Sequence, residues 1–100
     1  MEIKQLKYFV EVARREHISD AALELNIAQS AVSRQITQLE KELNVTLFKR
    51  SGRNIILTSE GKKLMSQATQ ILKQMDHTIQ LFKQQASTYQ RTIYSGYEEG

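Results

Sequence analysis

Residues 19–39 read Ser19-Asp20-Ala21-Ala22-Leu23-Glu24-Leu25-Asn26-Ile27-Ala28-Gln29-Ser30-Ala31-Val32-Ser33-Arg34-Gln35-Ile36-Thr37-Gln38-Leu39, and their spacing decides the fold. Counting from Ala22, Asn26 stands four residues on, Ile27 five and Val32 ten. Two short helices that cross steeply need a small residue at the crossing, a turn residue that accepts positive φ, and apolar residues that lock the pair together. Ala22, Asn26 and the pair Ile27 and Val32 are residues of those kinds at the spacing of a helix-turn-helix. Ser19 is expected to cap the first of the two helices, with Asp20 at the positive end of its dipole. Asparagine tolerates the left-handed conformation, so Asn26 ends that helix and opens the turn.

The second helix of the pair is expected from Gln29 to Leu43, because Val32, Ile36, Leu39 and Leu43 make one apolar stripe at spacings of four, three and four. With that stripe inward, Ser30, Ser33, Arg34 and Thr37 face outward beside Gln29 at the helix start. Such a set suits a nucleic-acid groove: arginine pairs bidentately with guanine, glutamine with adenine, and serine reaches bases or phosphates. A polar outward face is ordinarily no more than a solvated face. The helix-turn-helix spacing, the basic segment that follows, and the lack of acid on this face before Glu40 together favour DNA.

Upstream, Ile3, Leu6, Phe9, Val10 and Ala13 recur at helical spacing and predict a helix over residues 3–16. Downstream, Val45, Leu47 and Phe48, then Lys49-Arg50-Ser51-Gly52-Arg53-Asn54, then Ile55-Ile56-Leu57 read as a β-hairpin around a glycine-containing turn. Lys49, Arg50 and Arg53 give it the charge of a wing that reaches a phosphate backbone or a narrow minor groove.

Thr58 before Ser59-Glu60 starts a last helix, predicted to run to about Thr88 because the chain contains no proline. Gly61, Met65, Ala68, Leu72, Met75, Ile79, Phe82 and Ala86 alternate spacings of four and three along it, a sustained heptad seam. Leu64 and Ile71 add an apolar line to the first half only, so that half is expected to pack on the body of the domain as well. About 30 residues at roughly 1.5 Å each give some 45 Å of helix, more than a small domain needs to cover its core. A second copy of the chain is the simplest occupant of the seam from Met65 to Ala86, and a twofold pair would present two reading helices to two half-sites. Parallel and antiparallel pairing stay open on the seam alone. Thr92-Ile93-Tyr94 reads as a β-type run.

One hundred residues leave room for a single small domain with an extension. The net charge of +3 is common among soluble domains and says little by itself. Its distribution says more: residues 43–58 hold three bases and no acid, whereas the first 26 residues hold four bases against five acids. There is no cysteine, which excludes disulfides and thiolate zinc sites. His17 and His77, the only histidines, form neither a catalytic constellation nor a metal-ligand pattern, so no enzyme activity, metal or cofactor is expected. The start lacks the regions of a signal peptide and no apolar run nears the ~20 residues of a membrane span, which predicts a cytoplasmic protein. The competing reading is a helical protein-interaction module with a coiled-coil arm; salt-dependent duplex binding separates the two.

The stretch Ala21-Ala22 through Leu25, Gln29, Ala31-Val32-Ser33-Arg34-Gln35-Ile36, Leu39-Glu40, Leu43, Leu47-Phe48, Arg50, Arg53, Leu57-Thr58 and Gly61 closely resembles the amino-terminal domain of LysR-type transcriptional regulators. The match covers about the first 60 residues, and the long helix extends it to nearly 90. The resemblance implies a mainly α, winged helix-turn-helix of three helices and a small β-hairpin over residues 1–58, and a linker helix over 59–88 that pairs antiparallel in a dimer, with higher oligomers open to the intact protein. It also implies an effector-binding domain of which residues 89–100 would be the truncated start, its small-molecule ligand unknown. By the same resemblance Gln29, Ser33 and Arg34 contact the major groove, Ser30 lies beside them, and Arg53 approaches the minor groove. Three positions depart from the family pattern. Ala28 and Ser30 stand where serine and proline are common, which removes a helix cap, and Glu60 stands where a small residue is common.

Overall fold

The computed structural model describes the backbone of residues 1–94 and the side chains of residues 1–84. Along the chain follow α1 (Ile3–Arg15), α2 (Ile18–Leu25), α3 (Gln29–Leu43), β1 (Phe48–Ser51), β2 (Asn54–Leu57) and α4 (Ser59–Tyr94). β1 and β2 pair antiparallel as an isolated hairpin. The protein is therefore mainly helical, a three-helix head with a hairpin wing followed by one long helix.

The three helices of the head end alike, each in a left-handed residue: Glu16 at φ 61°, Asn26 at φ 59° and Asn44 at φ 57°. Beyond Asn26 the Ile27 N–H donates back to the Ala22 carbonyl at 3.0 Å, and beyond Asn44 the Val45 N–H donates to the Glu40 carbonyl at 3.1 Å. These bonds satisfy carbonyls that a helix end otherwise leaves open, and the left-handed residue turns the chain sharply enough to start the next element. Asn26 is the turn residue that the sequence predicts. The start of α2 differs from expectation. It lies at Ile18, with His17 as an extended N-cap that makes no side-chain capping bond, and Ser19 sits exposed inside the first turn. Ile18 packs against the core, and its burial draws the helix start back past the better capping residue.

Leu6, Phe9, Val10 and Val12 of α1, Ala21 and Ala22 of α2, Val32, Ile36 and Leu39 of α3, Leu47, and Ala68 of α4 form the buried core. Ala22 at the α2–α3 crossing is only 3% exposed, as a small residue at a close approach must be. The stripe of α3 ends one turn sooner than predicted, for Leu43 is 37% exposed where the last turn outruns the head.

α4 corrects the sequence reading in three places. Gly61, first of the seam, is buried at a joint: a Cβ built there would meet the Leu47 carbonyl oxygen at 2.2 Å. Ala68, expected at a dimer surface, is completely buried in the chain's own core, because the inner half of the seam is the face that lies on the head. Leu64, Met65, Ile71 and Leu72 pack half-buried around it, as the second apolar line predicts. Finally, α4 continues through Thr92, Ile93 and Tyr94 and through the expected boundary at residue 88. No proline stops it and the next glycine is Gly96, so three β-favouring residues do not overcome the helix that leads into them. The Ala86 side chain and residues 95–100 lie outside the described residues. Among the described residues no helix is long and apolar enough to cross a membrane.

Candidate nucleic-acid interface

The face of α3 opposite its buried stripe carries Gln29, Ser30, Arg34 and Thr37, all exposed, with Ser33 half-buried between them. Spacings of three and four place Ser30, Ser33, Arg34 and Thr37 on one strip of the helix. The buried stripe sets the rotation of that strip, and a residue that periodicity passes over adds a polar tie to it. Gln5 on α1 is 6% exposed, and its Nε2 donates to Gln35 Oε1 at 3.1 Å, while its own Oε1 accepts the Glu2 N–H. Gln35 neighbours Arg34 in sequence, so turning α3 about its axis would break a half-buried amide pair as well as unpack the stripe. At the start of α3, Ala28 is an extended N-cap without a side-chain bond, as its sequence predicts. The leading N–H groups of the helix are left for an external acceptor, which the positive end of the dipole favours when it is an anion.

The wing is a hairpin in the register Phe48 to Leu57, Lys49 to Ile56, Arg50 to Ile55 and Ser51 to Asn54. Its two-residue turn, Gly52-Arg53, has positive φ only at Gly52, 62°, the pattern of a type II′ turn. Lys49 and Arg50 thus lie within β1, and only Arg53 sits on the turn. All three are exposed. Neither they nor Arg34 enter an ion pair among the described residues. Arg15 shows the contrast: it donates to the carboxylates of Glu11 and Glu24, and the hydrogen bond it gives to Glu11, followed by the Glu24 charge, holds its proton more tightly than usual. Arg15 is thus neutralised within its own chain, whereas Arg34 and the three wing cations are not.

The wing is fastened at both ends. At its base the Thr58 N–H donates to the Leu47 carbonyl at 2.9 Å, Thr58 Oγ1 accepts the Gly61 N–H at 3.0 Å, and Glu40 on α3 accepts the Leu47 N–H at 2.7 Å. The Phe48 ring stacks tilted on Phe9 with centroids 5.4 Å apart. Near its tip, Glu16 at the end of α1 accepts the Ile55 N–H on its carbonyl at 2.9 Å and the Asn54 amide on its carboxylate at 3.0 Å. α1 therefore carries both parts, α3 through Gln5 and the wing through Glu16. Thr58 as the cap of α4 was legible from the sequence. Gln5 and Glu16 act through partners 30 and 38 residues away and had no local signal, and Glu40 reaches across the loop after α3 to Leu47.

On α4 the residues expected to pair with a second copy divide by position. Ala68 is sealed, Met65 and Leu72 lie half-buried against the head, and Met75 stands half-buried where the helix leaves it. Beyond that point Ile79 is 43% and Phe82 64% exposed, apolar side chains that nothing among the described residues covers. His77 is exposed on the same outer half, and among the described residues no three metal-capable side chains converge.

Residues 3–62 match the family model for bacterial regulatory helix-turn-helix proteins of the lysR family. Over 97 residues the chain is 47% identical to the transcriptional dual regulator GltC of Bacillus subtilis, a match covering 97% of this chain and 32% of that protein. It is 39% identical over 95 residues to a probable cat1 operon transcriptional activator of Acinetobacter lwoffii, covering 95% of this chain and 31% of the other. The chain thus spans about a third of the length of the curated relatives it matches. Both relatives are described as regulators of transcription. Among solved structures, the BenM DBD in complex with catB site 1 DNA superposes with a TM-score of 0.83 at 38% identity, covering 87% of this chain and 97% of that one. The CbnR DBD in complex with DNA superposes with a TM-score of 0.80 at 36% identity, covering 86% and 99%. Fold, motif and sequence agree: this chain belongs to the lysR family of bacterial regulatory helix-turn-helix proteins.

Proposed function

We propose that the chain is the DNA-binding part of a cytoplasmic transcription regulator, reading double-stranded DNA sequence-specifically as a dimer. Residues 1–58 form the reading head and α4 from residue 59 the linking helix. Arg34 pairs with a guanine edge, Gln29 reaches an adenine edge, and Ser30, Ser33 and Thr37 contact bases or phosphates beside them. Lys49, Arg50 and Arg53 neutralise phosphate charge, with Arg53 on the turn closest to a minor groove. The observation that carries this reading is that Arg34 on the outward strip of α3 and Lys49, Arg50 and Arg53 on the wing are all exposed and enter no ion pair among the described residues. The DNA complexes of the BenM and CbnR DBDs, both above 35% identity, support it. Exposure of Ile79 and Phe82 supports pairing through the outer half of α4. Twofold pairing there presents two heads to two half-sites.

A salt titration with a duplex selected by this chain from random sequences tests the reading. Four cations per head predict a slope of log K against log salt of about −3.6 per head, at roughly −0.9 for each phosphate neutralised. Arg34→Ala should lose about 1–3 kcal/mol on the selected site and flatten base preference at one position, whereas Arg53→Ala should weaken selected and random duplexes alike. Binding that ignores salt, or an Arg34→Ala variant that discriminates as the wild type does, refutes the assignment.

A further inference from the structure

The wing is a lever of four residues per strand, about 13 Å at roughly 3.3 Å per residue. Its base is held by the Thr58–Leu47 bond and by Phe48 on Phe9, but neither reaches the turn. The last residue pair before the turn is Ser51 with Asn54, and Asn54 is adjacent to Arg53. Asn54 and Ile55 are the two residues that Glu16 holds, one by its carboxylate and one by its carbonyl. Glu16 does this from a left-handed backbone, φ 61°, which disfavours any residue with a Cβ and which glycine adopts freely. A glycine would supply the same carbonyl to Ile55. Only the side chain reaches Asn54, so the strained glutamate adds one thing to the fold, a second bond at the wing tip. The neighbouring Arg15 turns to Glu11 and Glu24 and leaves the Glu16 carboxylate to Asn54.

We infer that Glu16 is a positioning residue for the wing: its clasp on Asn54 aims Arg53 at the DNA backbone. This rests on the DNA-binding reading above. Losing one hydrogen bond of ordinary strength corresponds to about three- to tenfold in an equilibrium. Glu16→Gly and Asn54→Ala are each expected to weaken binding to a labelled mixed-sequence duplex by that factor, and the double variant by no more than either single one, because both remove one shared bond. Glu16→Gln keeps the acceptor oxygen and should bind as the wild type does. In an Arg53→Ala background, Glu16→Gly should have no further effect. Glycine suits the φ at this position, so the variant folds, and amide exchange at residues 51–55 without DNA gives an independent readout: it should quicken in Glu16→Gly and Asn54→Ala and stay slow in Glu16→Gln. Wild-type affinity in Glu16→Gly, a Glu16→Gln variant as weak as Glu16→Gly, or tip exchange unmoved by either deletion overturns the clasp. A wild-type chain that leaves the duplex free at low salt refutes the DNA-binding reading instead, and the exchange rates then decide the clasp alone.

Discussion

Replacing Gly61 by alanine sets two physical effects against each other at one atom. Inside a helix alanine is favoured over glycine by about 1 kcal/mol, so propensity alone predicts a more stable protein. The added Cβ, however, would stand 2.2 Å from the Leu47 carbonyl oxygen and 2.9 Å from Leu57 Cδ2. Ordinary contact begins near 3.4 Å, so α4 and the Leu47 backbone that leads into β1 must part by about 1 Å. Leu47 is fully buried, and its carbonyl accepts the Thr58 N–H that begins α4, so the backbone has no free direction in which to yield. Overpacking of this kind costs about 1–3 kcal/mol. Loss of the Thr58 bond adds about 1 kcal/mol, which the gain in propensity offsets. The net expectation is a destabilisation of about 2 kcal/mol, equivalent to a melting temperature lower by about 8–16 °C in a chain of this size. Helical circular dichroism followed against temperature, and against urea, where the midpoint should fall by roughly 1 M, measures it. A Gly61→Ala variant that melts at or above the wild type would refute the claim that this glycine is required by its contact.

Ile79→Glu should convert a dimer to a monomer in light scattering with the melting of the head unchanged, since Ile79 is 43% exposed and lies beyond the core; an unaltered mass refutes pairing through the outer half of α4. Asn26→Gly should leave stability within about 0.5 kcal/mol of wild type while Asn26→Ala costs about 1 kcal/mol, because φ there is 59°; equal melting of the two variants would remove the left-handed turn from the account. Leu39→Ala, fully buried between the helices, should cost 2–5 kcal/mol, on the order of the whole stability of a small domain, read as loss of cooperative unfolding. Thr58→Ala, which deletes the acceptor for the Gly61 N–H, should cost about 1 kcal/mol in the same melts.

Where a decision is made by neighbours in sequence, the sequence disclosed it. The bounds of α3, the left-handed Asn26, the cap Thr58 and the inward set Val32, Ile36 and Leu39 all follow from spacing and residue type. The hairpin was legible too, although its turn is tighter than the run of polar residues suggests. Decisions taken across the fold stayed hidden. Gln5 meets Gln35 and Glu16 meets Asn54 at separations of 30 and 38 residues, and nothing near either residue announces its partner. A left-handed glutamate is also invisible to a rule that looks for glycine or asparagine at helix ends. The seam of α4 misled for a related reason: one apolar face serves two surfaces, its inner half packing on the head and its outer half standing free. Periodicity is the same for both, so it could not separate sealed Ala68 from exposed Phe82. Of the candidate reading face, the residue types and their strip were legible, while the polar ties of α3 to Gln5 and of the wing to Glu16 were not.

The joint at Gly61 also governs aim. Thirty-six residues make α4 a rod of about 54 Å, so a wobble of about 5° at its root moves the far end by roughly 5 Å. Successive base pairs are only about 3.4 Å apart, so in a two-headed reader that error carries one head past its proper rung of the ladder. In the proposed dimer, angular tolerance at a single close contact, where a helix backbone lies against the Leu47 carbonyl, would thereby become tolerance in the spacing of two half-sites. A looser joint would leave each head as good a reader as before and make the pair a worse ruler.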